Sequence, residues 1–335
     1  MILYVSPTAR GGVDVWMANI HRAMQRAGFP SRLDLLPHAY NFAPFLLPLT
    51  LPGNWAGDAR LVHSGTRAGF ALRAAGRPLV VTVHHLVADP TYRPYTRPAQ
   101  RLFHQLERRF DGRSIAEADL VTCVSHYTRD RVVEFYRRTD VHVVPNGIDT
   151  DTFRPEAAKP PRSNRAFRLL FVGNRTRRKG ADLLGPILRR LGTGYELWYT
   201  GGQRADEEPI DAPNARSLGQ LSLAGLVRAY NDCDALLFPS RLEGFGLAVA
   251  EAMACGLPVV ASRCSSLPEL VVEGQGGFLC PVDDVEAFES ASRALASDGD
   301  LCRAMGAFNR ERAEREFSFG VMVARYRELY GQVGA

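Results

Sequence analysis

The chain has 335 residues, 46% of them hydrophobic and 23% charged, and carries a formal net charge of +5. Such a length suggests two domains, and such a balance excludes a disordered chain or a fibrous repeat. The basic excess points to one of three partners: nucleic acid, an anionic membrane surface or a phosphorylated substrate.

Residues 2–6 form a short apolar run with no basic flank, so they read as a buried first strand and not as a secretory signal. The following loop, Ser6-Pro7-Thr8-Ala9-Arg10-Gly11-Gly12-Val13, opens a helix. Paired glycines at a helix N-terminus let a phosphate approach free N–H groups, although a plain tight turn has the same composition. It is not G-x-G-x-x-G, which weighs against a nicotinamide or flavin cofactor. The helix spans 13–27, with Val13, Trp16, Met17, Ile20 and Met24 on one stripe and Gly28 as its terminator. Residues 42–55 are apolar but interrupted by Pro44, Pro48, Pro52 and Gly53. They read as a Pro-rich loop or as an interfacial or acceptor-binding loop, and no stretch reaches the roughly 18 apolar residues of a transmembrane helix.

Further strands are expected at 60–63, 79–84, 120–125 and 142–144, their near-continuous apolar character suiting a parallel sheet covered on both faces. Between them, residues 92–101 interleave tyrosine, arginine and proline, a weak hint of nucleic-acid binding. Residues 154–164 hold three prolines and several charges and read as an interdomain linker. A second series then begins, with strands expected at 168–172, 195–200, 235–239, 258–261 and 277–279. The alternation predicts an α/β chain of two Rossmann-like, doubly wound domains facing across a cleft. Ligands in such sheets bind beyond the carboxyl ends of the strands.

Arginine is this chain's ordinary cation: of 41 basic residues only Lys159 and Lys179 are lysine. Lys179 lies in Gly173-Asn174-Arg175-Thr176-Arg177-Arg178-Lys179-Gly180, between an expected strand and helix. The run is either a solvated face or a diphosphate site, for which a compact ammonium is well suited. After the strand at 235–239 comes Glu243-Gly244-Phe245-Gly246-Leu247, then an apolar helix to 255 that carries Glu251 one turn in. Two carboxylates at these levels suit sugar hydroxyls, since a carboxylate is a pure acceptor; surface acid plus helix N-terminal charge is the bland reading. Six cysteines contain no C-x-x-C pair and are expected as free thiols in a reducing cytoplasm, with no zinc site. Asp149-Thr150-Asp151 and Asp232-Cys233-Asp234 match D-x-D but read as turn and cap residues.

Glu243 to Val260 fits E-G-F-G-L-x-x-x-E-A-M-A-x-G-x-P-V-V and resembles the signature of retaining GT-B glycosyltransferases of the family-4 (glycosyl transferases group 1) type. Ala118-Asp119-x-Val121 to Ser125, Pro145-Asn146-Gly147-Ile148-Asp149 to Pro155, Gly11-Gly12, and Val172-Gly173 to Lys179-Gly180 resemble other segments of that family. The resemblance implies a GT-B fold, with residues 1–158 binding the acceptor and 159–335 the donor, the last helix (about 316–335) packing back on the first domain. It implies that Lys179 and an arginine hold the donor diphosphate, that Glu251 binds the ribose, and that Glu243 with the Gly244, Phe245, Gly246 and Leu247 backbone holds the sugar. Gly12 would approach the diphosphate, and His84 would lie near the reacting sugar, with His85 the competing imidazole. The family's arginine position is Asn174 here, so Arg175 or Arg178 takes that role. The implied reaction is front-face transfer of a hexose from a nucleotide diphosphate sugar, needing no metal or cofactor, to a glycan, lipid-linked or small-molecule acceptor. A bacterial envelope glycan such as lipopolysaccharide is the expected destination, and a GT-B-like epimerase or phosphorylase is the alternative.

Residues 1–160 hold 20 basic and 14 acidic side chains, net +6, while 161–335 hold 21 and 22, net −1. The excess thus lies in the half assigned the acceptor, which disfavours nucleic acid. It suggests a cytoplasmic protein with peripheral contact to an anionic inner membrane face.

Overall fold

The computed structural model describes residues 1–8, 11–96, 98–156, 165–201 and 210–334. Ala9 and Arg10 of the first glycine loop, Arg97, and linker residues 157–164 with Lys159 lie outside the described residues. The chain divides into two units, Met1–Gly147 with Phe319–Ala335, and Ile148–Ser318.

Unit 1 runs β1 (Ile2–Pro7), α1 (Gly12–Arg26), β2 (Ser31–Leu36), α2 (Leu47–Thr50), β3 (Leu61–Gly65), β4 (Leu79–Val83), α3 (Pro98–Glu117), β5 (Leu120–Cys123), α4 (His126–Tyr136) and β6 (Val141–Val143). Its six parallel strands lie in the order β2-β1-β3-β4-β5-β6. Successive strand residues serve opposite faces: Val81, Val83 and Val121 join one buried cluster, Tyr4, Val80 and Leu120 the other. Both faces are apolar because helices cover both, which is why these strands read as continuous hydrophobic runs. On α1, Trp16, Met17, Ile20 and Met24 are buried as the stripe predicts. Gly28 ends the helix at φ +80°, a left-handed conformation that glycine adopts without a Cβ penalty.

Unit 2 runs β7 (Phe167–Phe171), α5 (Ala181–Leu191), β8 (Tyr195–Tyr199), β9 (Ala215–Ser217), α6 (Leu223–Asp232), β10 (Ala235–Phe238), α7 (Leu247–Ala254), β11 (Val259–Ser262), α8 (Leu267–Leu270), β12 (Gly277–Cys280), α9 (Val285–Ser297) and α10 (Gly299–Phe317). Its strands are also parallel, in the order β12-β11-β10-β7-β8-β9. Helix α11 (Phe319–Gln332) returns to unit 1. There Tyr330 OH meets His63 Nδ1 at 2.6 Å, and Tyr326 OH meets Thr82 Oγ1 at 3.1 Å.

Contacts divide the chain after Gly147 rather than after the expected 158. The reason is local: Arg310 donates to the carbonyls of Thr150 and Phe153, and Asn231 bonds Arg154 O and Glu156 N, fastening 148–156 to unit 2. Two edge strands escape sequence reading. β2 exposes a charged side with an Arg32–Asp34 ion pair at 2.9 Å, and β9 is only three residues long.

Residues 42–55 fold as a 3₁₀ turn (Pro44–Leu46) and α2, with Pro44 and Pro48 in the first turns, where a missing N–H is tolerated. Leu47 is buried, but Phe42, Phe45, Leu46 and Leu49 are exposed. Phe42 lies 5.3 Å from the Phe103 ring of α3. The outer side of α3 exposes Arg101, Leu102, Leu106, Arg108, Arg109 and Arg113; of its acids Glu107 and Asp111 are buried, while half-buried Glu117 pairs with Arg113 at 2.6 Å. No helix among the described residues is long and apolar enough to cross a membrane.

Candidate functional site

In unit 2 the strand order reverses between β7 and β10, so the loops after these two strands part and leave a crevice at their carboxyl ends. The loop after β7 carries the cationic run. The Thr176 hydroxyl caps a single 3₁₀ turn, Arg177–Lys179, by accepting from the Lys179 N–H. Gly180 follows at φ +70°, and a Cβ there would sit 2.0 Å from the carbonyl oxygen of Pro239. Only glycine lets the loop lie this close to the end of β10. The result places Lys179 Nζ 2.6 Å from Glu243 Oε1 and 5.2 Å from the Phe238 ring centre.

The loop after β10 is held from two sides. Ser240 Oγ donates to the same Glu243 oxygen at 2.6 Å. From the loop after β11, Ser265 Oγ accepts from Glu243 N–H at 2.8 Å, and Ser266 Oγ donates to the carbonyls of Glu243 and Phe245. Burial pushes the Glu243 carboxyl up, but Lys179 and Arg178 outweigh it and hold the group below its usual range. Burial pulls the Lys179 ammonium down, and Glu243 opposes that shift. The two remain a charged pair, with side chains only 18% and 8% exposed.

The structure brings Arg178 to this pair: its guanidinium donates to Leu242 O at 2.6 Å and lies 3.9 Å from Glu243 Oε1. Arg175 turns elsewhere, donating to Thr200 O at 3.3 Å over the Tyr199 ring. Phe245 points inward against Phe317, with ring centres 5.8 Å apart, so its backbone is the part left for a ligand. Gly246 caps α7 at φ +106°, with Leu247 the first helical residue. Glu251 lies one turn on, 9% exposed, where burial pushes its carboxyl up to about 7. Tyr230 OH donates to Glu251 Oε2 at 2.8 Å.

In unit 1 the order reverses between β1 and β3. Gly12 begins α1 beside this point, and a Cβ on it would meet nothing within 4 Å. His84 follows β4, edge-on to Trp16 at 4.5 Å, with its Nε2 buried and unpartnered. Burial pulls this imidazole down to about 3, so it is neutral. His85 is exposed and stacks on Tyr92, which also meets His104 of α3 edge-on at 5.5 Å.

Both D-x-D pairs have structural tasks. Asp149 accepts from Thr152 Oγ1 at 2.9 Å, and Asp234 grips Arg165 through both oxygens. Sequence reading did not single out Thr176, Ser240, Ser265, Ser266 or Tyr230. Thr176 had a findable signal, a cap residue three before Lys179; the others come from distant elements.

Two family models match the chain: one described as Glycosyltransferase Family 4 over residues 32–152, and one described as Glycosyl transferases group 1 over residues 166–298. The alpha-maltose-1-phosphate synthase of Mycolicibacterium smegmatis is 31% identical over 319 residues, covering 84% of this chain and 81% of its own. Among solved structures, a sucrose-phosphate synthase from Thermosynechococcus elongatus superposes with a TM-score of 0.83 at 20% identity, covering 99% and 98% of the two chains. The Anabaena protein HepE in complex with UDP-glucose gives 0.79 at 18% identity, covering 99% of each.

Proposed function

The chain belongs to the glycosyl transferases group 1 family and is a glycosyltransferase of GT-B fold; from that premise we propose that it moves a hexose, with retention, from a nucleotide diphosphate sugar to a bacterial envelope glycan or lipid-linked sugar. The observation that supports this most is the buried Lys179–Glu243 pair at 2.6 Å, with Glu251 one helical turn beyond. Lys179 and Arg178 or Arg175 neutralise the leaving diphosphate, Glu251 accepts from the ribose hydroxyls, and Glu243 with the 244–247 backbone holds the hexose. His84 and Gly12 are assigned to the reacting sugar and the diphosphate. The anomeric C–O bond to phosphate breaks while the acceptor oxygen bonds the same face, and the departing phosphate oxygen takes the acceptor's proton. Preorganised cations at the developing charge serve this step without a metal.

We further propose peripheral contact with an anionic membrane at the inner face of the cell membrane. The exposed Arg101, Arg108 and Arg109 of α3 and the exposed Phe42, Phe45, Leu46 and Leu49 support it, since inserted aliphatic side chains and surface arginines both favour such a surface.

Thermal-shift measurement with UDP-, GDP- and ADP-hexoses selects the donor, because a ligand at 100 times its Kd adds about 2.7 kcal/mol. The HepE complex makes UDP-glucose the first to try. NMR of the product then reads the anomeric configuration. An inverted product overturns retention, and isomerisation without acceptor or cleavage by free phosphate favours an epimerase or phosphorylase.

A further inference from the structure

Glu251 is the one charged residue of α7, whose other buried positions, Val249, Ala250, Ala252, Met253 and Ala254, are all apolar. A carboxylate in such a place has no fixed direction unless a donor supplies one. The donor is Tyr230 of α6. Its hydroxyl reaches Glu251 Oε2 at 2.8 Å and Ala248 O at 3.2 Å. The tyrosine cannot swing away: it is fully buried, meets Phe153 edge-on at 6.0 Å, and precedes Asn231, which bonds Arg154 O and Glu156 N. No described hydrogen bond engages the other carboxylate oxygen, Oε1.

We propose that Tyr230 is a positioning residue for the nucleotide's ribose: by taking Oε2 it fixes Oε1 as the acceptor for the ribose hydroxyls. The inference rests on the assignment of Glu251 to the ribose made above. A phenol O–H also favours the ionised carboxylate, against the burial that raises it. Tyr230 faces the carboxyl from α6, and Cys255, just past α7, faces the tyrosine.

The test compares wild type, Tyr230→Phe and Glu251→Gln for binding of UDP, GDP, ADP and their 2′-deoxy forms by calorimetry across pH 5.5 to 8.5. Tyr230→Phe keeps the ring and its packing, and circular dichroism checks its fold. It is expected to bind the ribonucleotide about tenfold more weakly, as fits loss of a hydrogen bond to a charged group. The deoxy form should change little, kcat at saturating donor should hold, and the pH below which affinity falls should move upward. Equal weakening of ribo and deoxy forms, or no weakening, overturns the positioning role. Should Glu251→Gln leave ribonucleotide affinity intact, the ribose assignment itself fails; should Glu251→Gln weaken binding while Tyr230→Phe does not, only the present inference fails.

Discussion

Replacing Lys179 by Met separates the two jobs given to its ammonium. The substitution keeps an unbranched stem of similar length and deletes the charge that meets Glu243 Oε1 at 2.6 Å and lies 5.2 Å from the Phe238 ring centre. Removing one partner of a buried pair costs about 3–5 kcal/mol, because the other charge is left uncompensated. Here Ser240 still donates to Glu243 and Arg178 lies 3.9 Å away, so the lower end, about 3 kcal/mol, applies. For a unit of this size that amounts to a fall in Tm of roughly 6–12 °C, leaving the protein folded at 25 °C. Calorimetric melting of Lys179→Met, Glu243→Gln and the double variant measures the coupling, and the double variant is expected to recover most of the loss. Transfer is expected to behave differently. Loss of one preorganised charge at the leaving diphosphate should lower kcat by about 10²–10³, and the double variant should not recover it. Melting within 2 °C of wild type would show that the pair is not buried and coupled, and turnover within threefold of wild type would refute the role of the ammonium.

Gly180→Ala combines a left-handed φ with a Cβ 2.0 Å from Pro239 O, so it should lower stability by at least about 2 kcal/mol and abolish nucleotide binding, read by urea unfolding and calorimetry; unchanged binding would detach the loop from the donor. Glu251 is raised from 4.5 to about 7 in the folded state, so the native protein holds the proton that the unfolded chain releases, and this group's contribution should fall as pH rises from about 5 to 7. Glu251→Gln should flatten that part of the stability profile, and an unchanged slope contradicts the assignment. Leu49→Asp with Leu102→Asp should weaken flotation with anionic vesicles by at least about tenfold, since each fully buried Leu is worth about 1.5–3 kcal/mol; equal binding before and after, or none by the wild type, removes the membrane contact. Transfer should persist in excess EDTA, and loss restored by added Mg²⁺ would require a metal.

Most of the fold is legible because its central strands are covered on both faces, so burial and sequence hydrophobicity largely coincide, as at Leu79, Val80, Val81 and Val83. Legibility fails at the sheet edges, where Arg32 and Asp34 face outward and the apolar count drops. In the site, Lys179, Glu243 and Glu251 stand out as unusual residue types in glycine-rich or apolar surroundings. Their supports do not. Ser265 and Ser266 act from the loop after the next strand, and Tyr230 from the preceding helix, contacts that only the parallel topology creates. Arg178 and Arg175 are equivalent by spacing alone; the carbonyls of Leu242 and Thr200 separate them.

The return of the chain to unit 1 also orders events during synthesis. Ile148–Ser318 is continuous and can close its core as soon as it leaves the ribosome, whereas Met1–Gly147 lacks α11. Until residues 319–332 arrive, Trp16, Met17 and the His63–Thr82 hydrogen-bonding edge have no cover from Tyr326 and Tyr330. At about 5–20 residues per second that interval is roughly 10–40 s. The half made first is therefore completed last, and over that interval it is the segment a holdase chaperone would bind.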